Sequence, residues 1–354
     1  MAAADLASYR LCAQGVVCNY LDPHETVAGL TAIQAQDRTS ALWAIGLRSV
    51  GSTIQEVERT VEAKRIVRTW LMRGTLHFTA AEDVRWMLAL VGPKIISGSK
   101  RRDAELHLDE EVYGRSREVL TRTLEAGPLA RSKVMSTLES AGISIAGQRG
   151  YHILRRLALE GLICFGPMIG KEASIVLLDE WVPRTEVMSR EETLTELARR
   201  YFTGHGPATV QDLVWWAGIT VTEARRALES ARPQLDEAVV GGVSYWSAPY
   251  GRGGREGRAH LLPAFDEYII GYRDRGAVLD GRHTAKVLSS NGIFYPSIVI
   301  DGQARGTWKG TRSRGMRVEA RPFSPVSGEE LKLVKEAAER YARFLGQRVE
   351  LSVR

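Results

Sequence analysis

The stretch from Arg115 to Asp179 repeats a local alternation that leaves few folds open. "RSREVLTRTLEAG" and "ARSKVMSTLESAG" read as two helices, the second stopped by Gly142. "QRGYHILRRLALEG" is a third helix, stopped by Gly161. "LICFGPMIGKEASIVLLD" then supplies two β-rich runs around a turn placed at Gly166-Pro167. Short helices followed by a strand pair give the order of a winged helix-turn-helix. A looser copy precedes this one, with helices expected over residues 4–20, 25–35, 40–48 and 53–62. Its strands fall in "RIVRTWLM" and "TLHFT", and "AEDVRWMLALVG" follows as a helix opened by Thr79. A third copy runs through "RTEVMSREETLTELARRYFTGHG", "ATVQDLVWWAG" capped by Thr209, and "TVTEARRALESA". Its wing is read as "VSYWSAPYGRGGREGRAHLLP". The tail adds alternating strands with a hairpin turn at Asp301-Gly302, then the amphipathic helix "GEELKLVKEAAERYARFLG". The expected fold class is therefore α+β, mostly helical, with three tandem winged helix-turn-helix modules and a C-terminal β elaboration. The modules cover 1–110, 111–183 and 184–354. Three dissimilar copies in one chain suggest a curved, C-shaped scaffold around a basic channel, and a monomer, because a dimeric repressor needs only one module per chain.

At 354 residues the chain exceeds one ordinary core, and 44% hydrophobic with 25% charged residues is the composition of a globular protein. Three cysteines, Cys12, Cys18 and Cys164, make no CxxC pair and no even framework. They predict neither disulfide nor structural zinc, and a reducing, cytoplasmic setting. The N-terminus lacks an apolar signal core, and no run approaches the roughly 20 apolar residues of a membrane span. A net charge of +6 is compatible with nucleic acid. "GPMIGK" is one residue short of a phosphate loop, and Glu172 stands where a magnesium-binding hydroxyl belongs. "GRGGREG" misses the dinucleotide pattern, there is no HExxH, and "GISIAG" ends in alanine at Ala146 before Gly147 where a nucleophile elbow needs glycine one place earlier. No metal and no cofactor are expected.

Within "LTAIQAQDRTSALWAIGLR", Gln34 and Gln36 flank one alanine. On a helix, residues two apart point about 200° away from each other. The pair converges only where the helix ends, and Asp37, Thr39 and Ser40 supply turn and cap chemistry just beyond. Asp37 is read as the cap of the next helix, with a role as base as the alternative. Arg73, Thr75 and His77 alternate and would share a strand face, either around a buried arginine or lining a cleft. Trp215-Trp216 is read as core. Asp266 and Glu267 are expected to pair with Arg273 and Arg275, with active-site support from Asp266 as the alternative. Two basic clusters stay open: Arg252, Arg255 and Arg258 at the glycine-rich wing tip, between disorder and probing a DNA groove, and Arg305, Lys309, Arg312 and Arg314 in the tail, continued by Arg317 and Arg321, between a solvated strand face and a hairpin that tracks phosphates.

These strings together resemble the winged-helix DNA glycosylases of the AlkZ and YcaQ type. "LTAIQAQD" is similar to that family's Gln-x-Gln motif, and "WLMRGTLHFTAAED" to its Arg-Gly-Thr-Leu-His segment. "HGPATVQDLVWWAGI", "LLPAFDEYIIGYRDR" and "NGIFYPSIVIDGQARGTW" extend the resemblance over nearly the whole chain. The YcaQ-like branch carries aspartate at the second motif position, so Gln36 places the chain nearer AlkZ. The resemblance implies catalysis by Gln34 and Gln36, double-stranded DNA containing alkylated purines as partner, and a monofunctional glycosylase of bulky adducts, including interstrand crosslinks. It also implies base excision repair or self-resistance to a DNA-alkylating natural product. Glutamine is no general base at neutral pH, but its carbonyl and amide can orient water. That suffices if alkylation has already made the purine a cation. The alternative is a non-enzymatic winged-helix regulator that would not need the glutamines, and a protein-binding scaffold is a further one. A bulky adduct also predicts an open basic channel with no deep nucleobase pocket.

Overall fold

The computed structural model describes residues 5–184, 186–249, 257–312 and 315–354, with Arg312 as backbone only. About half of the chain is helical, less than the expected majority, and the class is α+β. The chain packs as two compact units, residues 58–193 and residues 1–57 joined with 194–354.

In the 58–193 unit the three middle helices form as Glu110–Leu124, Arg131–Ser140 and Arg149–Leu159, and Gly142 and Gly161 take φ of 76° and 78° beyond the last two. Five strands of this unit lie in the order Leu76–Ala80, Ile66–Trp70, Ile163–Ile169, Glu172–Leu177, Leu129–Ala130. Leu120, Leu138, Ile153, Leu157 and Ile175 are fully buried in the core beneath the sheet. The wing turn is not at Gly166-Pro167. Strand Ile163–Ile169 runs through that pair with a register shift between Phe165 and Met168, and the chain reverses at Gly170-Lys171. Proline cannot donate to a ladder but is tolerated at a bulge. A Cβ at Gly166 would lie 2.6 Å from Ser174 Oγ, so the close approach needs glycine. Thr79 does not cap a helix; it belongs to strand Leu76–Ala80, and the helix Val84–Glu105 starts after a short 3-10 turn.

In the other unit, five strands lie in the order Val349–Val353, Met316–Pro322, Gln303–Arg312, Ser297–Ile300, Ala259–Leu262, antiparallel except for the first pair. The turn Asp301-Gly302 forms as expected, both residues at positive φ. The long C-terminal helix Gly328–Leu345 brings Tyr341 and Phe344 about 5 Å from Trp43. Trp308 joins the cluster 5.0 Å from Tyr341. The wing of the third repeat differs from expectation. Val243–Ser247 pairs with Asp236–Val240 through Gly241-Gly242, at φ of 58° and 79°. Such a pair is suited to a two-residue hairpin. The later run, Ala259–Leu262, is completely buried and pairs with Ser297–Ile300 instead. The tip around Arg252 and Arg255 lies outside the described residues.

Two further expectations are corrected here. The first helices are Asp5–Ala13 and Pro23–Leu30, shorter than the sequence suggested, because Gly15 and Thr31 leave helical geometry at φ of 70° and 66°. Cys12 and Cys18 form a disulfide with Cα atoms 4.8 Å apart. The turn at Gly15 folds the chain back within six residues, a proximity that spacing alone does not reveal. Cys164 is free and buried.

His260 sits on strand Ala259–Leu262 at 3% exposure, and neither ring nitrogen meets a partner among the described residues. Burial, reinforced by the charges of Arg340, Arg258 and Arg48, lowers its pKa from 6.5 to about 3. The unfolded chain takes up this proton near pH 6.5, whereas the folded chain refuses it until about 3, so stability is full above 6.5 and falls as pH drops through that window. Thermal melts should show about 1.4 kcal/mol less stability from this group at one pH unit below the unfolded pKa. His260→Leu should flatten the slope between pH 7 and pH 5; an unchanged slope would remove His260 as its source.

Candidate active site

Helix Pro23–Leu30 stops because Thr31 adopts φ 66°, a strained region for a β-branched residue. Ile33–Gln34 then forms a two-residue strand. Extended backbone turns residues two apart toward the same face, the opposite of a helix. Gln34 Nε2 accordingly donates to Gln36 Oε1 at 2.6 Å. Gln34 is buried at 7% exposure, while Gln36 is exposed. The inner amide holds the outer one. Asp37 follows as the N-cap of helix Arg38–Arg48, its Oδ1 accepting from the Ser40 N–H at 2.6 Å. The cap reading of Asp37 is thus realised.

Beneath the pair lie two carboxylates on a bent segment. Phe265 has φ 57°, and Asp266 caps the short helix Glu267–Ile270. Asp266 does not meet Arg273 or Arg275. Both its oxygens bind Arg48, at 2.7 and 2.9 Å, and both side chains are sealed from solvent. Burial works to lower the Arg48 pKa, but the Asp266 charge and hydrogen bonds outweigh it, and the guanidinium stays above its ordinary value. Arg48 also donates to Gln14, whose amide reaches Tyr272 Oη at 3.0 Å. Burial pushes the Tyr272 phenol up, so it stays a donor, to the His205 carbonyl at 2.7 Å. Glu267 Oε1 accepts the Gln34 backbone N–H at 3.0 Å. Its Oε2 accepts from Trp216 Nε1 at 2.9 Å and lies 3.4 Å from His205 Nε2. Of the tryptophan pair only Trp216 is core; Trp215 is 41% exposed and donates to the Ile270 carbonyl. Arg273 bonds Gln211, and Arg275 bonds the Ile269 carbonyl, so neither is where the sequence placed it. Both polar groups of the segment turn inward because the Phe265 bend follows a fully buried strand, a tertiary fact invisible in the spacing.

A half-open cleft of about 640 Å³ begins at Asp37. Trp43, Trp308 and Tyr341 form its aromatic floor, and Lys286, Lys309 and Arg321 stand on its rim. Arg305 and Lys309 are exposed on strand Gln303–Arg312. Arg317 and Arg321 are partly neutralised by Glu350 and Glu319. Arg258 is exposed, whereas Arg314 lies outside the described residues, as does the Arg312 side chain.

In the 58–193 unit, Arg73, Thr75 and His77 do not share a strand face. Arg73 sits in a 3-10 turn at φ 57°, and the alternation begins only at Leu76. Arg73 and Gly74 make the tight connection between two paired strands, which requires left-handed backbone there. Thr75 Oγ1 donates to the Met72 carbonyl at 3.1 Å, and His77 is fully buried with Nδ1 3.0 Å from the Thr75 carbonyl.

Residues 27–344 match the family model of the AlkZ-like DNA glycosylases. The chain belongs to that family. Among curated relatives, an interstrand DNA cross-link repair glycosylase of Streptomyces sahachiroi is 25% identical over 346 residues, 91% of this chain and 90% of that protein. The solved structure of Streptomyces sahachiroi DNA glycosylase AlkZ superposes with a TM-score of 0.79 at 22% identity, covering 100% of both chains. As an AlkZ-like member the protein is a DNA glycosylase, and DNA is its partner. Among the described residues, this AlkZ-like chain has no helix long and apolar enough to cross a membrane, and no cluster of three metal-binding His, Cys, Asp or Glu side chains.

The geometry separates capping from chemistry at Asp37. Asp37→Ala should lower stability by about 1 kcal/mol through the lost N-cap. Base release per folded molecule should stay within about twofold, since the carboxylate is turned to the helix; a loss of about 100-fold would make it a base.

Proposed function

We propose that this AlkZ-like glycosylase hydrolyses the N-glycosidic bond of cationic alkylated purines in duplex DNA, with Gln34 and Gln36 orienting the water. The amide pair itself carries the reading: two neutral side chains, one buried and one exposed, joined at 2.6 Å. The Gln36 carbonyl has two lone pairs, and Gln34 takes one. The other accepts a proton of the water, while the Gln36 amide donates to an adjacent phosphate. The water oxygen bonds to C1′ as the bond from C1′ to the purine nitrogen breaks. Its electron pair returns to the purine and cancels the positive charge, and the water's proton passes to solvent. No acid is required because the leaving group becomes neutral on departure. The carboxylates around the pair are all engaged in holding structure, Asp37 on its helix, Glu267 on the Gln34 peptide and Asp266 on Arg48, which agrees with a task that amides perform by position.

The bulkiest substrates follow from the cleft at Asp37, which is half open and of the size that suits drug-sized ligands. A large adduct, including one tied to the opposite strand, could not enter a closed base-sized pocket. The name of the Streptomyces relative supports crosslinks as one substrate class and repair as the setting; self-resistance in a bacterial cytoplasm belongs to the same proposal. We place this chemistry on three tandem winged-helix modules, 1–110, 111–183 and 184–354, in a monomer. Arg258, Arg305 and Lys309 follow the phosphates, together with Arg252, Arg255, Arg312 and Arg314. A sequence-reading regulator is not favoured, because it gives the amide pair no task.

Incubation with duplex DNA carrying N7-alkylguanine should release the base and leave abasic sites. Gln34→Ala and Gln36→Ala should each slow release by about 100-fold or more, with DNA affinity retained. Wild-type rates in both variants would sink the mechanism, as would equal release of uncharged bases. DNA affinity should fall steeply with salt, and Lys309→Ala should reduce the slope of log K against log salt by about one. A flat salt response would instead favour a protein-binding scaffold.

A further inference from the structure

The polar network under the glutamines treats its two carboxylates differently. Asp266 is matched by a guanidinium at 2.7 Å. Glu267, at 1% exposure, accepts the Gln34 peptide N–H and the Trp216 indole N–H, and its Oε2 lies 3.4 Å from the His205 ring Nε2. Burying a carboxylate costs several kcal/mol unless its oxygens are well satisfied, and a core that needed only packing would use an apolar residue there. The bond to Gln34 joins residues 233 positions apart. It is charge-assisted, hence stronger than an ordinary backbone bond. The donors are themselves held rigidly. Tyr201 stacks on His205 at 4.9 Å and lies 5.0 Å from Trp216, and Tyr201 Oη donates to the Gly271 carbonyl.

The consequence for Gln34 is geometric. Fixing the peptide N–H fixes rotation of the residue about the strand axis, and that sets where its side-chain amide points. Gln36 is exposed and takes its orientation from the 2.6 Å bond to Gln34. We infer that Glu267 is a positioning residue for the glutamine pair: clamped by Trp216 and His205, its carboxylate holds the Gln34 peptide and through it aims both amides. This rests on the proposed role of the glutamines, and it adds a member to the site that touches neither DNA nor water. Glu267 would act on the rate of base release and leave DNA affinity alone.

The test is a double-mutant cycle read by single-turnover base release from N7-alkylguanine duplex DNA with excess enzyme, where small residual rates remain measurable. Glu267→Gln keeps the shape but presents an N–H₂ group where an oxygen accepted, and should slow release by about 10-fold or more. The dissociation constant for DNA should not change. In a Gln34→Ala background the same substitution should alter the rate by less than about twofold, because its route through Gln34 is gone. Equal losses in both backgrounds would mean a general structural role and would overturn the inference while the glutamine mechanism stands. If Gln34→Ala alone kept the wild-type rate, the mechanism would fall and the inference with it. Should Glu267→Gln not fold, Trp216→Phe removes a single donor to Oε2 while keeping an aromatic ring. It should reproduce a several-fold loss that is likewise absent beside Gln34→Ala, and additivity there would count against Glu267 equally.

Discussion

Asp266 and Glu267 leave a single bend at Phe265 and serve two different tasks within the same buried layer. The first oxygen pair neutralises Arg48, which in turn ties Gln14 and the end of helix Arg38–Arg48 to the interior. The second reaches the peptide of Gln34 and the indole of Trp216. Gln34, Arg48, His205 and Trp216, far apart in the chain, thus converge on two adjacent carboxylates. Removing either would strand buried donors or a buried guanidinium, which costs more than the interaction itself contributes. The geometry of the amide pair inherits its stiffness from this layer.

On the proposed mechanism, that inheritance lets neutral residues occupy a position where many hydrolytic enzymes place a carboxylate. A carboxylate gains its effect from charge and tolerates some imprecision. An amide has only direction, so its support must be rigid. The chain supplies rigidity at some local cost: Thr31 and Phe265 both sit at positive φ on either flank of the site, conformations that persist only when their surroundings hold them. The proposed leaving base is already cationic, so on that proposal direction is the scarcer requirement.

Much of the architecture was legible in the chain. The helix stops at Gly142 and Gly161, the threonine caps at Thr209 and Thr220 and the turn at Asp301-Gly302 each rest on backbone chemistry confined to a few residues. Errors arose where the deciding contact was distant. The strand through Gly166-Pro167 is possible because Ser174 and Val176 lie against the bare glycine. Ala259–Leu262 left the expected wing because it is completely buried in another sheet. Cys12 and Cys18 are a local exception, brought together within six residues by a turn at Gly15 that the cysteine count ignores.

The glutamine motif, its cap at Asp37 and the family resemblance were written in consecutive residues, because capping and strand alternation act over two to four positions. Nothing local marked Glu267. Its neighbours Arg273 and Arg275 offered plausible partners by spacing, and the fold refused both, using Ile269 and Gln211 for the arginines. Sequence alone determined which side chains stand two apart and what backbone they prefer. Tertiary structure decided which buried oxygen would meet which peptide, since a carboxylate in a dry interior must take the donors that packing brings within about 3 Å, however far away they lie in the chain.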